Sequence, residues 1–492
     1  MTAASNHPSQ VTVPIKLEII QRLLLPALIM GLAVGLRLYH IGATSLWFDE
    51  AVYANNSHAD FGEFLRNTRT HNSSPIGLPL LYWLLGDWVR TPFWIRVPPA
   101  LFGLAAVWYL LRLTRVGVAR PVALLSALWL AVLPVQVQYA QEVREYSLAV
   151  LASATLLYHF LAAVSAQDKD RCPVAFCAAL ALTPLLAYGA IFVAGTLAVL
   201  YVASAVHAKR AARVSICLLF VLGISCALSF FLTARYQTQN AVAWYLLANY
   251  PPGGAWANLR WAALANISYL ALMTGSALMG LAAVTALVSP LVVGPLRRVV
   301  LGREQLLLVA AVAVLVLIAN MLAAAKLYPM GAVRQNLFAA PVVIVASVMS
   351  LLWFARTKGQ LLAIASAIVI AVAFTAIPRL TGAYAEVEDI RSPVEALATL
   401  ADDRQVFVYY GAIPAVRFHY PGRRFYLSAA GRREVARMAA EIQDLNQQQM
   451  LLVFSHVYET EDDDLLRLLQ SAGYTVADDR RFTGSRLVRV RR

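Results

Sequence analysis

Charged residues are scarce in this sequence, since Asp, Glu, Lys and Arg make up 14% of its 492 residues, against about 25% in a typical soluble protein. Hydrophobic residues make up 60%, and several apolar runs are long enough to cross a bilayer. This balance excludes a soluble globular protein and predicts an integral membrane protein. Nucleic acid is not a predicted partner, because the basic residues behind the net charge of +14 fall in short clusters between apolar runs.

Cysteine and cofactor motifs are scarce as well. Three of the four cysteines, Cys177, Cys217 and Cys226, lie within apolar runs, so we interpret them as small buried side chains and not as disulfides or zinc ligands. Nucleotide-binding glycine loops and His-rich metal motifs are absent, so we predict no cofactor or metal, although carboxylates could hold a divalent cation. The polar stretch Met1–Pro14 and the lack of a cleavage site after the first apolar run predict no cleavable signal peptide.

Apolar runs predict about eleven transmembrane helices. The runs are 19–39, 93–111, 119–137, 146–164, 174–188, 190–206, 214–233, 263–289, 306–323, 337–354 and 360–378. The stretch 174–206 would be about 50 Å long as one helix, too long for a hydrocarbon core of about 30 Å, so we predict a break at Tyr188-Gly189. With the N-terminus in the cytoplasm, this count places every dense basic cluster of the membrane part on the cytoplasmic side.

The same topology places four loops outside the cytoplasm. They are 40–92, 138–145, 235–262 and 324–336. Within the first, the apolar run Ile76–Val89 is too short to span and ends near Asp87. We interpret it as an interfacial or re-entrant segment, with Tyr82, Trp83 and Trp88 in the interface belt.

Residues 385–492 differ from the rest, because they are polar and contain no spanning run. "QVFVYY" and "MLLVFS" predict buried strands, and "GRREVARMAAEIQDL" and "EDDDLLRLLQSAG" predict amphipathic helices. This alternation predicts a small α/β soluble domain at 385–492, following a transmembrane domain at 1–384. We expect no catalytic residues in it, because His419 and His456 have no carboxylate or nucleophile at motif spacing.

Two Arg-rich segments, "RRFYLSAAGRR" and "DDRRFTGSRLVRVRR", belong to this C-terminal part. They suit anionic lipid head groups or an acidic glycan. They equally suit a solvated surface, and the sequence leaves both interpretations open.

The stretch "SLWFDEAVYANN" carries Asp49 and Glu50 about ten residues after the first span. Placing carboxylates near hydrocarbon costs free energy, so a structural or functional role must account for their position. Asp49 could cap a helix "EAVYANNSHADFGEFLRN", with Glu50 favoured by the helix dipole. Alternatively, the pair forms a general base or electrostatic site for a substrate with a lipid tail and a polar head.

A second cluster, "QYAQEVREYSL", lies in the next outer loop and includes Glu142, Arg144, Glu145 and Tyr146. A salt-bridge network and a functional site are both consistent with it. Polar groups at a bilayer edge are often functional, so we expect Glu142 and Arg144 at the depth of Asp49.

The last outer loop, "KLYPMGAVRQN", adds Lys326, Tyr328 and Arg334 on the same side. Arg334 opens a span from outside, against the positive-inside bias. Cations beside carboxylates favour an anionic ligand such as phosphate. His71 and Arg96 are also expected to face this region. The candidate substrate-binding residues are Arg144, Tyr146, His71, Tyr82, Lys326, Tyr328 and Arg334.

Five segments occur in a distinctive order: "LWFDEAVYA", "HNSSPIGLPLLYWLLG", "IRVPPALFGL", "YAQEVREYSL" and "RQNLFAAPVVI". Over residues 45–350 the chain therefore resembles GT-C membrane glycosyltransferases, in particular the family 39-like branch of protein O-mannosyltransferases and the lipid A aminoarabinose transferase. The resemblance implies transfer of a sugar from a polyprenyl-phosphate donor to an acceptor outside the cytoplasm, with inversion.

The resemblance also implies roles for individual residues. Asp49 matches the presumed base of the Asp-Glu pair, Glu50 completes that pair, and Glu142 matches the acidic residue of the second loop. Many relatives have Lys-Pro-Pro or His-Pro-Pro where this chain has Ser73-Ser74-Pro75. Arg144, Lys326 or Arg334 would then supply the charge that binds phosphate.

The predicted function is a glycosyltransferase of the bacterial inner membrane, with its active site and C-terminal domain on the periplasmic side. Its partners would be the donor, membrane lipids and a glycan, lipid or protein acceptor. The alternatives are a transporter or lipid-linked sugar flippase, and a receptor or scaffold. Transporters usually place charges at the midplane between paired halves, whereas these charges lie in loops at one surface.

Overall fold

The computed structural model describes residues 15–70, 72–165, 173–207, 212–237, 244–296, 302–355, 357–398 and 405–492. Up to residue 380 these residues are mostly helical. The helices are α1 Ile15–Leu38, α2 Phe48–Asn56, α3 Phe61–Thr70, α4 Gly77–Leu85, α5 Pro92–Leu111, α6 Arg120–Val132, α7 Pro134–Tyr139, α8 Tyr146–Ser165, α9 Val174–Leu186, α10 Ala190–His207, α11 Ala212–Ser229, α12 Arg235–Gln237, α13 Ala255–Thr274, α14 Ala277–Leu296, α15 Arg303–Ala324, α16 Ala340–Leu352 and α17 Lys358–Leu380.

Long apolar helices identify an integral membrane protein. Among the described residues, six helices are long and apolar enough to cross a membrane, or seven if the bent pair α13 and α14 is one span. Four shorter apolar helices lie on α1, α6, α9 and α10. Each predicted apolar run falls on one or two helices, while the exact number of spans stays a prediction.

The predicted break at Tyr188-Gly189 is confirmed, because α9 ends at Leu186 and α10 begins at Ala190. A Cβ atom on Gly189 would lie 2.4 Å from the ring of Phe338. Only glycine permits this close approach. The break therefore also brings the start of α16 against α10.

Two runs predicted as single helices are broken. The run 119–137 divides at Leu133, before Pro134, into α6 and α7. Proline has no N–H, so the carbonyl of Leu130 lacks a helical donor. The buried Arg37 side chain replaces it, donating to the carbonyl oxygens of Leu130 and Ala131 at 3.2 and 2.9 Å. These bonds fasten the end of α1 to the end of α6.

The second broken run is 263–289, where α13 and α14 meet at an angle of 97°. The Trp129 indole donates to the carbonyl of Thr274 at 3.0 Å, and a Cβ on Gly331 would lie 3.1 Å from the hydroxyl of Ser268. These contacts place α13 against the end of α6 and against the 325–339 connection, at one end of the bundle. We call this the upper end.

The C-terminal part contains α18 Arg391–Ala398, β1 Val406–Val408, α19 Ile413–His419, β2 Tyr426–Leu427, α20 Val435–Asp444, β3 Gln449–Ser455, α21 Glu461–Ser471, β4 Thr475–Phe482 and β5 Ser485–Arg491. The strand order is β2-β1-β3-β5-β4. Strand β1 runs parallel to β2 and β3, whereas β5 is antiparallel to β3 and β4. Both predicted strands and both predicted helices are confirmed within a few residues.

The Arg-rich C-terminus forms an unpredicted hairpin of β4 and β5, turning at Gly484 with φ +64°. The Arg486 guanidinium contacts Asp462, Asp463 and Asp479 at 2.6 to 2.7 Å. Arg486 is therefore committed to pairs within the fold and is not free for an anionic lipid or glycan.

One hydrophobic core joins the C-terminal sheet to the segment between α1 and α5. It contains Leu46 and Tyr53 near and on α2, Leu78 on α4, and Val408 and Val453 from the sheet. The C-terminal part therefore packs directly on the segment that carries Asp49, at the upper end.

Candidate active site

Asp49 lies in the first turn of α2 but does not cap it. The helix begins at Phe48 after an extended N-cap residue, Trp47, whose side chain makes no capping bond. The interpretation of Asp49 as an N-cap is therefore wrong. The helix predicted over residues 50–67 is also two helices, α2 and α3, separated by a turn at 57–60.

The Asp49 carboxylate meets two arginines from distant parts of the chain. Its Oδ2 atom is 3.3 Å from Nη1 of Arg144 and 3.2 Å from Nη2 of Arg334. The other terminal nitrogen of Arg334 is 3.4 Å from Oε1 of Glu142. The predicted gathering of these four residues at one end of the bundle is therefore confirmed, and we call them the acid–arginine cluster.

Local bonds hold the turn that carries Glu142 and Arg144. The Val143 N–H donates to Oε1 of Glu50 at 3.0 Å. The Gln141 side-chain amide donates to three carbonyls at the end of α1, those of Leu36, Arg37 and Tyr39. The turn is thus fixed both to α2 and to the first long helix.

Glu50 is paired with Arg96 in the protein interior. Its two oxygens accept from Nε and Nη2 of Arg96 at 2.9 and 2.6 Å, and Glu50 is 1% exposed. Arg96 also donates to backbone carbonyls of Ile41, Thr44 and Ser45. These contacts favour a positioning role for Glu50, and the prediction that it is catalytic remains untested.

Aromatic rings border the acid–arginine cluster. The Arg334 guanidinium carbon lies 5.1 Å from the Trp47 ring and 5.4 Å from the Tyr146 ring, within cation–π range. The Trp47 indole nitrogen and the Tyr146 hydroxyl are buried and have no hydrogen-bond partner among the described residues. Unmet buried polar groups are costly, so these two donors are available for a further hydrogen bond at the edge of the cluster.

Burial decides the charge of Glu142. It raises the pKa of this carboxyl to about 8, although the Arg334 charge acts in the opposite direction. Burial lowers the pKa of Arg144, but the Asp49 carboxylate and the other acidic groups around it together outweigh burial, and the net pKa is well above its ordinary value. At neutral pH Glu142 is therefore protonated, and Asp49 faces two guanidinium charges. Arg334 is the most accessible of the four side chains, at 26% against 20% for Asp49.

Two predicted substrate-binding residues do not join this cluster. Lys326 is exposed just beyond α15 and has no ion-pair partner among the described residues. Tyr82 is 1% exposed, and its hydroxyl donates to the carbonyl of Ile95 at 2.8 Å. Tyr82 therefore packs α4 on α5, and its assignment to the interface belt is wrong. His71 lies outside the described residues.

Tyr328 supports the cluster from behind. Its hydroxyl donates to the carbonyl of Gln335 at 2.7 Å, and its ring contacts Phe192 edge-on. It thereby braces the turn that presents Arg334.

Sequence reasoning missed a carboxylate partner for His456. Nδ1 of His456 lies 2.6 Å from Oε1 of Glu388, a carboxylate that is not at motif spacing, and the expectation of no catalytic residues in this part stays a prediction. The two residues are 68 positions apart, and no motif spacing could have shown the contact. Within the described part of the chain, no group of three or more His, Cys, Asp or Glu side chains could hold a metal ion.

Comparison with known proteins shows the fold. No family model matches the chain, and no curated protein matches its sequence. The crystal structure of ArnT from Cupriavidus metallidurans bound to undecaprenyl phosphate superposes with a TM-score of 0.56 at 14% identity, over 94% of this chain and 97% of ArnT.

The archaeal oligosaccharyltransferase AglB from Archaeoglobus fulgidus, in complex with an inhibitory peptide and a dolichol-phosphate, superposes with a TM-score of 0.52 at 12% identity. The match covers 96% of this chain and 74% of AglB. The chain has the GT-C fold. Its acid–arginine cluster therefore lies at the upper end of a GT-C helix bundle.

Proposed function

We propose that this GT-C protein is a glycosyltransferase that transfers a sugar, hexosyl or pentosyl, from a polyprenyl-phosphate donor to a glycan, lipid or protein acceptor. The observation that carries the proposal is the contact of Asp49 with both Arg144 and Arg334. Two guanidinium groups suit a phosphate leaving group, and the carboxylate suits a base. ArnT with undecaprenyl phosphate and AglB with dolichol-phosphate support a lipid-linked donor.

The cluster suggests an exchange of partners on donor binding. Arg334, the most accessible member, turns from Asp49 to the donor phosphate, and Arg144 remains beside both. Asp49 can then accept a proton from the acceptor hydroxyl. The hydroxyl oxygen bonds to the anomeric carbon as the bond from that carbon to the phosphate oxygen breaks. The leaving phosphate keeps the electron pair, and the anomeric centre inverts.

Glu142 and Tyr146 complete this site in our proposal. A protonated Glu142 can donate to a phosphate oxygen without repelling it, as can the Tyr146 hydroxyl, which has no hydrogen-bond partner among the described residues. Glu50 acts indirectly, since it holds Arg96 and the amide of Val143.

We further propose eleven spans, a transmembrane domain at 1–384 and an α/β domain at 385–492. The protein would lie in a bacterial inner membrane, with Asp49 and the α/β domain on the periplasmic side. In this proposal α13 lies across the upper end, and α14 is the part of the run 263–289 that spans the membrane. The run then still counts as one crossing, so the predicted sides of all later loops are unchanged. The positive-inside pattern supports this orientation.

The proposal is tested with purified protein in nanodiscs and a panel of defined polyprenyl-phosphate sugars. The expected result is release of the bare polyprenyl phosphate with at least one donor, and no release by the Asp49→Asn variant. Movement of an intact lipid-linked sugar across vesicles, without release of the lipid phosphate from any donor, would instead support the flippase.

A further inference from the structure

The N-terminus of α2 is held by side chains from the C-terminal part. Oε2 of Glu388 accepts from the Phe48 N–H at 3.2 Å. Just before the helix, Oε1 of Glu386 accepts from the Ser45 N–H at 2.8 Å, and Nε2 of His419 accepts from the Leu46 N–H at 3.1 Å. We call Glu386, Glu388 and His419 the clamp.

The clamp replaces a missing helix cap. The first N–H groups of a helix need acceptors, which a Ser, Thr, Asp or Asn at the N-cap usually supplies. Here the N-cap is Trp47, which makes no such bond. Glu388 supplies an acceptor from 340 residues away. The start of α2 therefore depends on the C-terminal part for its hydrogen bonds.

Glu388 is itself fixed in place. The Ser455 hydroxyl donates to its Oε2 at 3.1 Å, and Nδ1 of His456 bonds its Oε1 at 2.6 Å. The His456 ring stacks on the Phe48 ring with centroids 4.6 Å apart and an interplanar angle of 8°. Its Nε2 lies 2.9 Å from the Tyr458 hydroxyl. Glu388, His456 and Phe48, the residue before Asp49, thus form one packed unit.

His419 is suited to accept a hydrogen bond. Burial, with the Arg391 and Arg96 charges, lowers the pKa of His419 to about 4. The ring is therefore neutral at physiological pH, and its Nε2 lone pair remains available to the Leu46 amide.

We propose that the clamp residues are positioning residues for Asp49, so that the C-terminal part sets the geometry of the base. This inference rests on the proposed function. Asp49 follows Phe48 directly, so a displacement at the start of α2 moves its carboxylate relative to both arginines. A displacement of about 1 Å at a reacting group can lower a rate by about a hundredfold.

The test compares Glu388→Ala with Glu388→Gln in the full-length protein in nanodiscs. Glu395→Ala is the matched control, because Glu395 is an exposed carboxylate on α18 of the same part. Glu388→Ala should lower kcat by about tenfold or more while KM for the donor stays within about twofold. Glu388→Gln keeps an oxygen that accepts from Phe48 and should restore most of kcat. The control should match the wild type.

A second readout does not depend on turnover. Hydrogen exchange of the peptide covering residues 45–54 should become faster in Glu388→Ala, because the Phe48 amide loses its acceptor. If that variant does not fold, His419→Ala provides the same test at the Leu46 amide. Unchanged exchange together with unchanged kcat would overturn the positioning role. A wild-type protein inactive with every donor would instead contradict the proposed function, whatever the exchange shows.

Discussion

Replacing Arg96 with methionine should strongly destabilise the upper end of the protein. The Glu50 carboxylate, 1% exposed, would lose both of its guanidinium bonds and remain buried. Removing one partner of a buried ion pair costs about 3–5 kcal/mol. Glu50→Gln should cost less, about 1–3 kcal/mol, because Arg96 keeps the carbonyls of Ile41, Thr44 and Ser45.

The double variant Glu50→Gln/Arg96→Met separates the contribution of the Glu50–Arg96 ion pair to stability from the effects of each substitution alone. With the carboxylate neutralised, losing Arg96 should cost about 1–2 kcal/mol less than in the wild-type background. The wild type, the two single variants and the double variant are heated in the same detergent. The fraction of each protein that stays monodisperse is measured as the temperature rises. The reasoning is refuted if Arg96→Met melts like the wild type, or if Glu50→Gln abolishes turnover with unchanged stability.

Three further experiments test the site and the topology. Donor affinity should fall as the pH rises through the pKa of Glu142, about 8, because the ionised carboxylate repels phosphate. The Glu142→Gln variant should bind the donor without this fall. Equal pH dependence in both proteins would contradict a protonated Glu142 beside the donor phosphate. Arg334→Ala should weaken donor binding by about tenfold or more, whereas Lys326→Ala should not; a reversed order would move the phosphate site. In a cysteine-free background, Ser471→Cys should react with an impermeant reagent in intact cells and Thr114→Cys only after lysis; the opposite pattern would invert the topology.

The sequence predicted which residues share one end of the bundle but not how they meet. Sidedness depends on the number of spans and on basic clusters, both readable from composition. It therefore brought Asp49, Arg144 and Arg334 to one surface. It also placed Lys326 there, whereas the structure leaves Lys326 exposed just beyond α15 and outside the cluster. The interior pairing of Glu50 depends on a similar three-dimensional arrangement.

Three other features were not evident from local sequence rules. The helix α2 begins without a local cap because Glu388 provides the acceptor, so capping rules pointed wrongly to Asp49. Strand β4 carries mostly exposed polar side chains and shows no apolar alternation. The bend at Gly275 interrupts a continuous apolar run, which hydropathy alone cannot divide.

The most direct test is a single-turnover measurement with Asp49→Asn. The purified variant and the wild type are each given the same active polyprenyl-phosphate sugar, and donor binding and release of the lipid phosphate are followed separately. The account predicts near-normal donor binding with turnover lost, because the amide keeps the shape of the side chain but cannot take the acceptor proton. Near-normal turnover by Asp49→Asn would contradict the account.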